Sequence, residues 1–132
     1  MIRAPDLHTN GWALRSGTEA HEAAPTTFWI PEATARAGLQ VGDVAKLIFE
    51  IAVDNPEQPV SVERMWVIVR EIDGPRYFGL LDNEPDAIAA NDEFWAGTEV
   101  PFLPDHVIDI QAADDKSRAL AAEPPLRSWP RA

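Results

Sequence analysis

The segment at residues 60–72, VSVERMWVIVREI, limits the possible folds more than any other part of the chain. Its apolar side chains alternate in the middle of the segment, which is the pattern of a β-strand. One face carries Met65, Val67 and Val69, and the other carries Val62, Trp66, Ile68 and Ile72. A strand that is apolar on both faces belongs at the centre of a sheet that is covered on both sides. We therefore expect a central strand here.

The segments on either side predict a sheet around this strand. Residues 44–53 alternate between a strongly apolar face and a mixed one. Residues 76–81 predict a third strand, in which Gly79 marks a bulge or a close approach. Residues 98–103, weakened by Pro101, and residues 107–110 predict two more. The expected fold is α+β, with a curved antiparallel sheet of about five strands and short helices packed across it.

The remaining segments predict shorter elements. Residues 26–30 are β-prone, and residues 16–25 have the composition of a loop. Short helices are predicted at residues 31–38, 85–91 and 114–122.

Length and composition indicate one domain with two distinct ends. A chain of 132 residues is the size of a single domain. We expect a variable N-terminal segment at 1–25, an α+β domain at 26–112, and a marginal helix with a loose C-terminal tail at 113–132. Trp129 lies between prolines in that tail, where it either docks back onto the domain or reaches a partner.

The charge of the chain is strongly acidic and uneven. The net charge is −11, and residues 77–115 contain many acidic residues but no lysine or arginine. Such a surface repels phosphate backbones, so we expect no nucleic-acid partner. A basic protein partner, a cation, or solubility alone remain open as reasons for the charge.

Several function classes are excluded or disfavoured by what the sequence lacks. The absence of cysteine excludes disulfides, thiolate zinc sites, iron–sulfur clusters and cysteine nucleophiles. No signal-peptide core and no apolar run of membrane-helix length is found, so we expect a soluble cytoplasmic protein without a membrane partner. No phosphate loop or nucleophile motif is found either. We predict no catalytic residues, no metal and no cofactor.

Six residues are candidates for a binding site: Trp66, Asp82, Asn83, Glu84, His106 and Asp109. Trp66 either lines a pocket or packs in the core. Asp82, Asn83 and Glu84 either shape a strand-ending turn or accept hydrogen bonds from a partner's arginine or lysine. His106 lies near Asp109, and a histidine oriented by a carboxylate can act as a base or a metal ligand. A zinc site would need further ligands that the sequence does not place nearby.

Four motifs in order resemble the YegJ-like bacterial domain of unknown function over about residues 26–110. The matching positions are Gly42, Asp43, Lys46, Leu47 and Phe49; Glu63, Met65, Trp66 and Val67; Gly79, Leu81, Asn83 and Pro85; and Ile108 and Asp109. Arg64 stands where many relatives carry histidine, and Thr98-Glu99 stands where a Gly-Asp pair is usual. The family looks related to predicted bacterial immunity proteins, which bind and neutralise toxins. The resemblance therefore implies a binding role.

Three functional hypotheses follow. The first is a non-enzymatic, immunity-like protein-binding module whose acidic half meets a basic protein. The second is a small-ligand-binding protein or enzyme with a pocket near Trp66, Asn83 and His106. The third is an acidic mimic of nucleic acid that inhibits a basic protein. The sequence leaves the oligomeric state open.

Overall fold

The structure, a computed structural model, describes residues 2–82 and 96–131. The described residues form short helices and longer strands. The helices are α1 (Leu7–Asn10), α2 (Gly17–Ala23), α3 (Ala33–Ala37) and α4 (Asp115–Ala121). The strands are β1 (Trp12–Leu14), β2 (Val44–Ala52), β3 (Val60–Asp73), β4 (Arg76–Leu81), β5 (Glu99–Phe102) and β6 (Val107–Gln111). A 3-10 turn, Pro104–His106, joins β5 to β6.

The strands form one curled antiparallel sheet. β2, β3, β4 and β5 follow one another as a meander. The other edge of β2 pairs with β1 near one end and with β6 near the other. Only a short turn separates β5 from β6, although the two strands lie at opposite sides of the meander, so the sheet must curl into a half-barrel. The predicted α+β fold with a curved antiparallel sheet is confirmed.

The hydrophobic core lies inside this curl. Leu47, Phe49 and Ile51 of β2 are almost completely buried, as are Val67 and Val69 of β3. These side chains belong to the apolar faces that the alternation predicts. The interior of the half-barrel is thus set by residues spaced two apart in each strand.

The outer face of β3 is covered only in part. Ile68 is 2% exposed, but Val62 is 46% and Ile72 is 42% exposed. The cover is α4, which packs against β3, and Arg70 on the same face donates to the Glu123 carbonyl just beyond that helix at 3.0 Å. Among the described residues, the expectation of a sheet covered on both sides is met near Ile68, whereas Val62 and Ile72 stay partly exposed.

The N-terminal region differs from its prediction in two places. Residues 16–25 were expected to be a loop, yet they contain α2, which Ser16 caps by accepting the Glu19 amide at 3.1 Å. Residues 26–30 are not a strand but continue the turn that ends α2, since the Phe28 amide donates to Ala24 at 2.8 Å. The short helix at 31–38 forms as α3. The helix predicted at 85–91 lies outside the described residues.

The C-terminal tail is packed rather than loose. Residues 124–131, which we call the strap, meet the start of β5 through an isolated parallel bridge between Arg127 and Thr98. The Leu126 amide donates to the Gly97 carbonyl at 3.0 Å, and the Glu99 amide donates to the Arg127 carbonyl at 2.9 Å. The expectation of a loose tail is wrong, because backbone groups at the free edge of β5 find their partners in the strap.

Trp129 anchors the strap in the core. It is 9% exposed, and its ring meets that of Trp12 edge-on with centroids 5.6 Å apart. Its indole N–H donates to the Arg3 carbonyl at 3.0 Å. Of the two alternatives that the sequence left open, the structure shows docking back onto the domain.

The strap also neutralises a buried carboxylate. Glu99 is 1% exposed and accepts both guanidinium nitrogens of Arg131, at 2.7 and 3.0 Å, and the Trp129 amide at 2.8 Å. Arg131 also bonds Glu71 at 3.0 Å and lies over the Phe78 ring, 3.6 Å from its centroid. Burial alone would raise the pKa of Glu99, but the bonds from Arg131 and Trp129 and the nearby positive charges lower it. The carboxylate therefore stays ionised inside the protein.

Gly79 provides a first test of the fold. It lies in β4 opposite Val69, next to a register shift in β3, and an added Cβ would lie 3.1 Å from the Val67 side chain and from the Ile68 carbonyl. The close approach expected from the sequence is confirmed. We predict that Gly79→Ala lowers the free energy of unfolding by about 1–3 kcal/mol in chemical denaturation, because backbone and core must move apart. An alanine that raised stability, as expected at an unconstrained strand glycine, would contradict this packing.

Candidate functional site

Three of the predicted binding residues lie in one row across the outer face of the sheet, the face opposite the core. Asp109 in β6 pairs with Lys46 in β2, and Lys46 pairs with Trp66 in β3. Asp82, just after β4, continues the row, since its amide donates to the Trp66 carbonyl at 2.9 Å. Residues from four separate parts of the chain thus meet because the register of the sheet places them side by side.

Lys46 and Trp66 form the centre of this row. The Lys46 ammonium nitrogen lies 5.4 Å from the centroid of the Trp66 ring, within the range of a cation–π interaction. Trp66 is half-buried on the outer face and does not belong to the core cluster. Trp66 therefore does not pack in the core, which is one of the two alternatives that the sequence leaves open for it.

A second cation–aromatic pair lies beside the first. The Arg64 guanidinium lies 5.0 Å from the centroid of the Phe28 ring, and the neighbouring Trp29 is 70% exposed. We call Phe28, Trp29, Lys46, Arg64 and Trp66 the outer-face platform. A shallow cavity of about 180 Å³ opens between platform residues, Thr27, Ile108 and Asp109, which is smaller than the roughly 300–1,000 Å³ of typical ligand pockets.

Carboxylates lie at both ends of the platform. Asp109 accepts its neighbouring Ile110 amide at 2.8 Å through one oxygen. At the other end, partial burial raises the pKa of Asp82, against the opposing effect of Lys116. The platform is thus aromatic and cationic at its centre and flanked by acidic groups.

His106 has a structural position in the 3-10 turn. Its Nδ1 accepts the Leu103 amide at 3.0 Å, so this nitrogen is unprotonated. Burial lowers the pKa of His106, against the raising effect of Asp105. The ring is held in its neutral form as part of the connection between β5 and β6.

Asp105 joins this turn to the N-terminal region. It accepts the Ser16 hydroxyl at 2.8 Å. Burial would raise the pKa of Asp105, but hydrogen bonds from Thr18 and Ser16, helped by positive charge nearby, lower it. The carboxylate therefore holds α2 against the turn.

The acidic half of the chain is only partly available to a partner. Glu99 is buried against Arg131, Asp105 is engaged by Ser16, and Asp114 caps α4 by accepting the Ser117 amide at 2.7 Å. Asn83 and Glu84 lie outside the described residues. In the described part, Asp82 and Asp109 lie on the outer face beside Lys46 and Trp66, and Asp115 on α4 is exposed but lies 3.5 Å from Arg118.

Within residues 2–82 and 96–131, no group of three or more histidine, aspartate or glutamate side chains is arranged to hold a metal ion. In the same part of the chain, no helix combines the length and apolarity needed to cross a membrane.

Sequence reasoning named Trp66, Asp82 and Asp109 as separate candidates but did not join them in one row, and it missed part of the platform. The alternation of apolar residues in β2 and β3 predicts that Lys46 and Trp66 lie on the outer face of the sheet. Phe28 and Arg64 were missed, because their pairing depends on how the turn after α2 folds back over the sheet. No local pattern encodes that contact.

Comparison of the chain with protein-family models, with curated proteins and with solved structures gave no match. The resemblance to the YegJ-like family therefore stays a prediction.

The buried His106 predicts a specific pH dependence. In the unfolded chain this histidine takes up a proton near pH 6.5, whereas burial opposes its protonation in the folded chain. The free energy of unfolding therefore keeps its full value above about pH 6.5 and declines as the pH falls, by at most about 1.4 kcal/mol per pH unit. We predict that His106→Asn, which keeps an acceptor for Leu103, shows a shallower decline in chemical denaturation between pH 7.5 and 5 than the wild type. His8→Gln, a change at an exposed histidine, is the control. Equal slopes for His106→Asn and the wild type would contradict the assignment.

Proposed function

We propose that the protein is a non-enzymatic, cytoplasmic protein-binding module, immunity-like in the sense of the YegJ-like resemblance, that binds a basic protein through the outer-face platform. The observation that carries the proposal is the exposed Trp29, which lines a shallow cavity with Phe28, Lys46 and Arg64, on a platform with Asp82 and Asp109 at its two ends. Tryptophan at an accessible, partly apolar surface is the residue type most often dominant in binding.

The charges of the chain support a basic partner. A net charge of −11 attracts positively charged proteins over long range and accelerates their association. At short range, an arginine of the partner can stack on the 70% exposed Trp29 ring and bond Asp109 or Asp82. Lys46 and Arg64 already lie over rings of the platform, so the attraction for a basic partner comes from the flanking carboxylates and the net charge, not from the centre of the platform.

The alternative of a small-ligand protein or enzyme has less support. It requires a pocket near Trp66, Asn83 and His106, but the Nδ1 of His106 accepts a backbone amide within its own turn. The cavity at the platform, about 180 Å³, is also small for a metabolite. A broad surface contact suits these features better.

Site-specific photocrosslinking tests the proposal. A benzoylphenylalanine is placed at position 29 on the platform or, as the matched control, at the exposed apolar Val41, which is 49% exposed. After irradiation in a lysate of the source cells, we expect one basic protein to be linked from position 29 and not from position 41. The yield should fall when Asp82 and Asp109 are both changed to asparagine, and when salt is raised from about 0.05 M to about 0.5 M.

Two results would count against the platform. Equal crosslinking from positions 29 and 41 would show that the contact is not localised there. A linked partner that is acidic, or one whose yield is unchanged by salt and by the Asp82/Asp109 changes, would remove the electrostatic basis of the proposal.

A further inference from the structure

The strap is bound to the domain in the manner of a peptide ligand. It meets the free edge of the sheet where β5 begins, through two backbone bonds, Leu126 amide to Gly97 and Glu99 amide to Arg127, at 3.0 and 2.9 Å. Addition of an extended segment to a sheet edge is a recurrent mode of peptide recognition. The backbone bonds supply affinity in this mode, and side-chain pockets supply selectivity.

Two side chains of the strap occupy distinct subsites. The Trp129 ring packs on Trp12 and its indole N–H reaches the Arg3 carbonyl. Arg131 lies over the Phe78 ring and bonds two carboxylates, Glu99 and Glu71. The spacing that the domain reads is therefore tryptophan followed two residues later by arginine.

A segment that only covered the edge of β5 would not require a buried carboxylate at Glu99. An apolar residue at this position would seal the edge of β5 without the cost of burying a charge. A carboxylate that is 1% exposed instead demands a cation, and Arg131 supplies it with two parallel bonds. Because a buried charge left without a partner is costly, a segment that brings no cation is disfavoured at this edge.

The strap carries two arginines and no acidic residue in a chain of net charge −11. It is thus a basic segment held by an acidic domain, which is the same charge relation as in the proposed function. The two sites use different residues, since the hydrogen bonds and ring contacts given above for the strap involve no platform residue.

We propose that the β5 edge, with Glu99 and the Trp129 subsite, is a second binding site that recognises an extended basic segment of a partner protein with the pattern Trp-x-Arg. The strap occupies this site within the same chain and must be released for the partner segment to enter. Because release leaves Glu99 without its cation, only a ligand that brings an arginine replaces the strap at low cost. The basic character of the partner rests on the proposed function, but the site itself stands on the strap contacts.

A peptide with the strap's own sequence, acetyl-PLRSWPRA, is the probe for this site. Full-length wild type and the full-length variant Trp129→Ala are titrated with the labelled peptide by fluorescence anisotropy, and Trp129→Phe serves as a milder variant if Trp129→Ala does not fold. In the wild type the strap competes at a high effective concentration. We expect the variant to bind the peptide at least about tenfold more tightly than the wild type.

Peptide and receptor controls define the specificity. Replacing the final arginine of the peptide by glutamine, or Glu99 of the protein by glutamine, should each weaken binding by about tenfold or more, since each removes the charged pair. Changing Trp29 to alanine on the platform should leave peptide binding unchanged. This control separates failure of the second site from failure of the proposed function.

Native-state hydrogen exchange of the wild type tests release without any variant. The Leu126 and Glu99 amides report strap bonds, and the Val69 amide, bonded to Asp43 at 2.9 Å, reports the core. We expect the two strap amides to exchange through a local opening at least about tenfold faster than Val69. Exchange of all three amides in one global event, or no peptide binding by folded Trp129 variants, would overturn the proposal.

Discussion

The buried carboxylate of Glu99 is the constraint on which the closure of this fold depends. A charge that is 1% exposed in the wall of a half-barrel is tolerated only if a cation and hydrogen-bond donors reach it. All the donors that the structure gives it come from the strap, namely the Arg131 guanidinium and the Trp129 amide. The C-terminal residues are thereby fixed to the sheet edge where β5 would otherwise be open.

The same constraint links the two ends of the chain. Once the strap is held, Trp129 lies against Trp12 of β1, and its indole bonds Arg3 near the N-terminus. β1 in turn pairs with β2, whose other half is covered by β6. The exposed edges that a curled, partly open sheet must protect are thus covered by segments from both termini.

The sequence predicted the sheet well because alternation is a local signal. β2 and β3 formed where the period of two was clear, and Gly79 marked a real close approach. α2 was missed although Ser16 and Glu19 have the spacing of a helix start, since the small and polar residues between them resemble a loop. Glu99 gave no signal at all, because its partner Arg131 lies far along the chain. The row of Asp109, Trp66 and Asp82 was named residue by residue, but the register that joins these residues through Lys46 is a property of the sheet.

The outer-face platform and the strap site offer a partner two different kinds of contact. The platform offers exposed aromatic area with carboxylates at its ends, whereas the β5 edge offers backbone pairing and one buried charge. Both suit a basic partner, but only the β5 edge involves Glu99, whose charge the strap's Arg131 satisfies.

A double-mutant cycle of Glu99→Gln and Arg131→Met, measured by chemical denaturation at pH 7, tests this dependence most directly. Arg131 is 38% exposed and Glu99 is 1% exposed, so the pair lies between a surface salt bridge, worth about 0.2–1 kcal/mol, and a buried one, whose disruption costs about 3–5 kcal/mol. We predict a coupling energy of about 2 kcal/mol or more, with Arg131→Met much more damaging when Glu99 is present. A coupling energy near zero, with each variant close to the wild type in stability, would contradict the account.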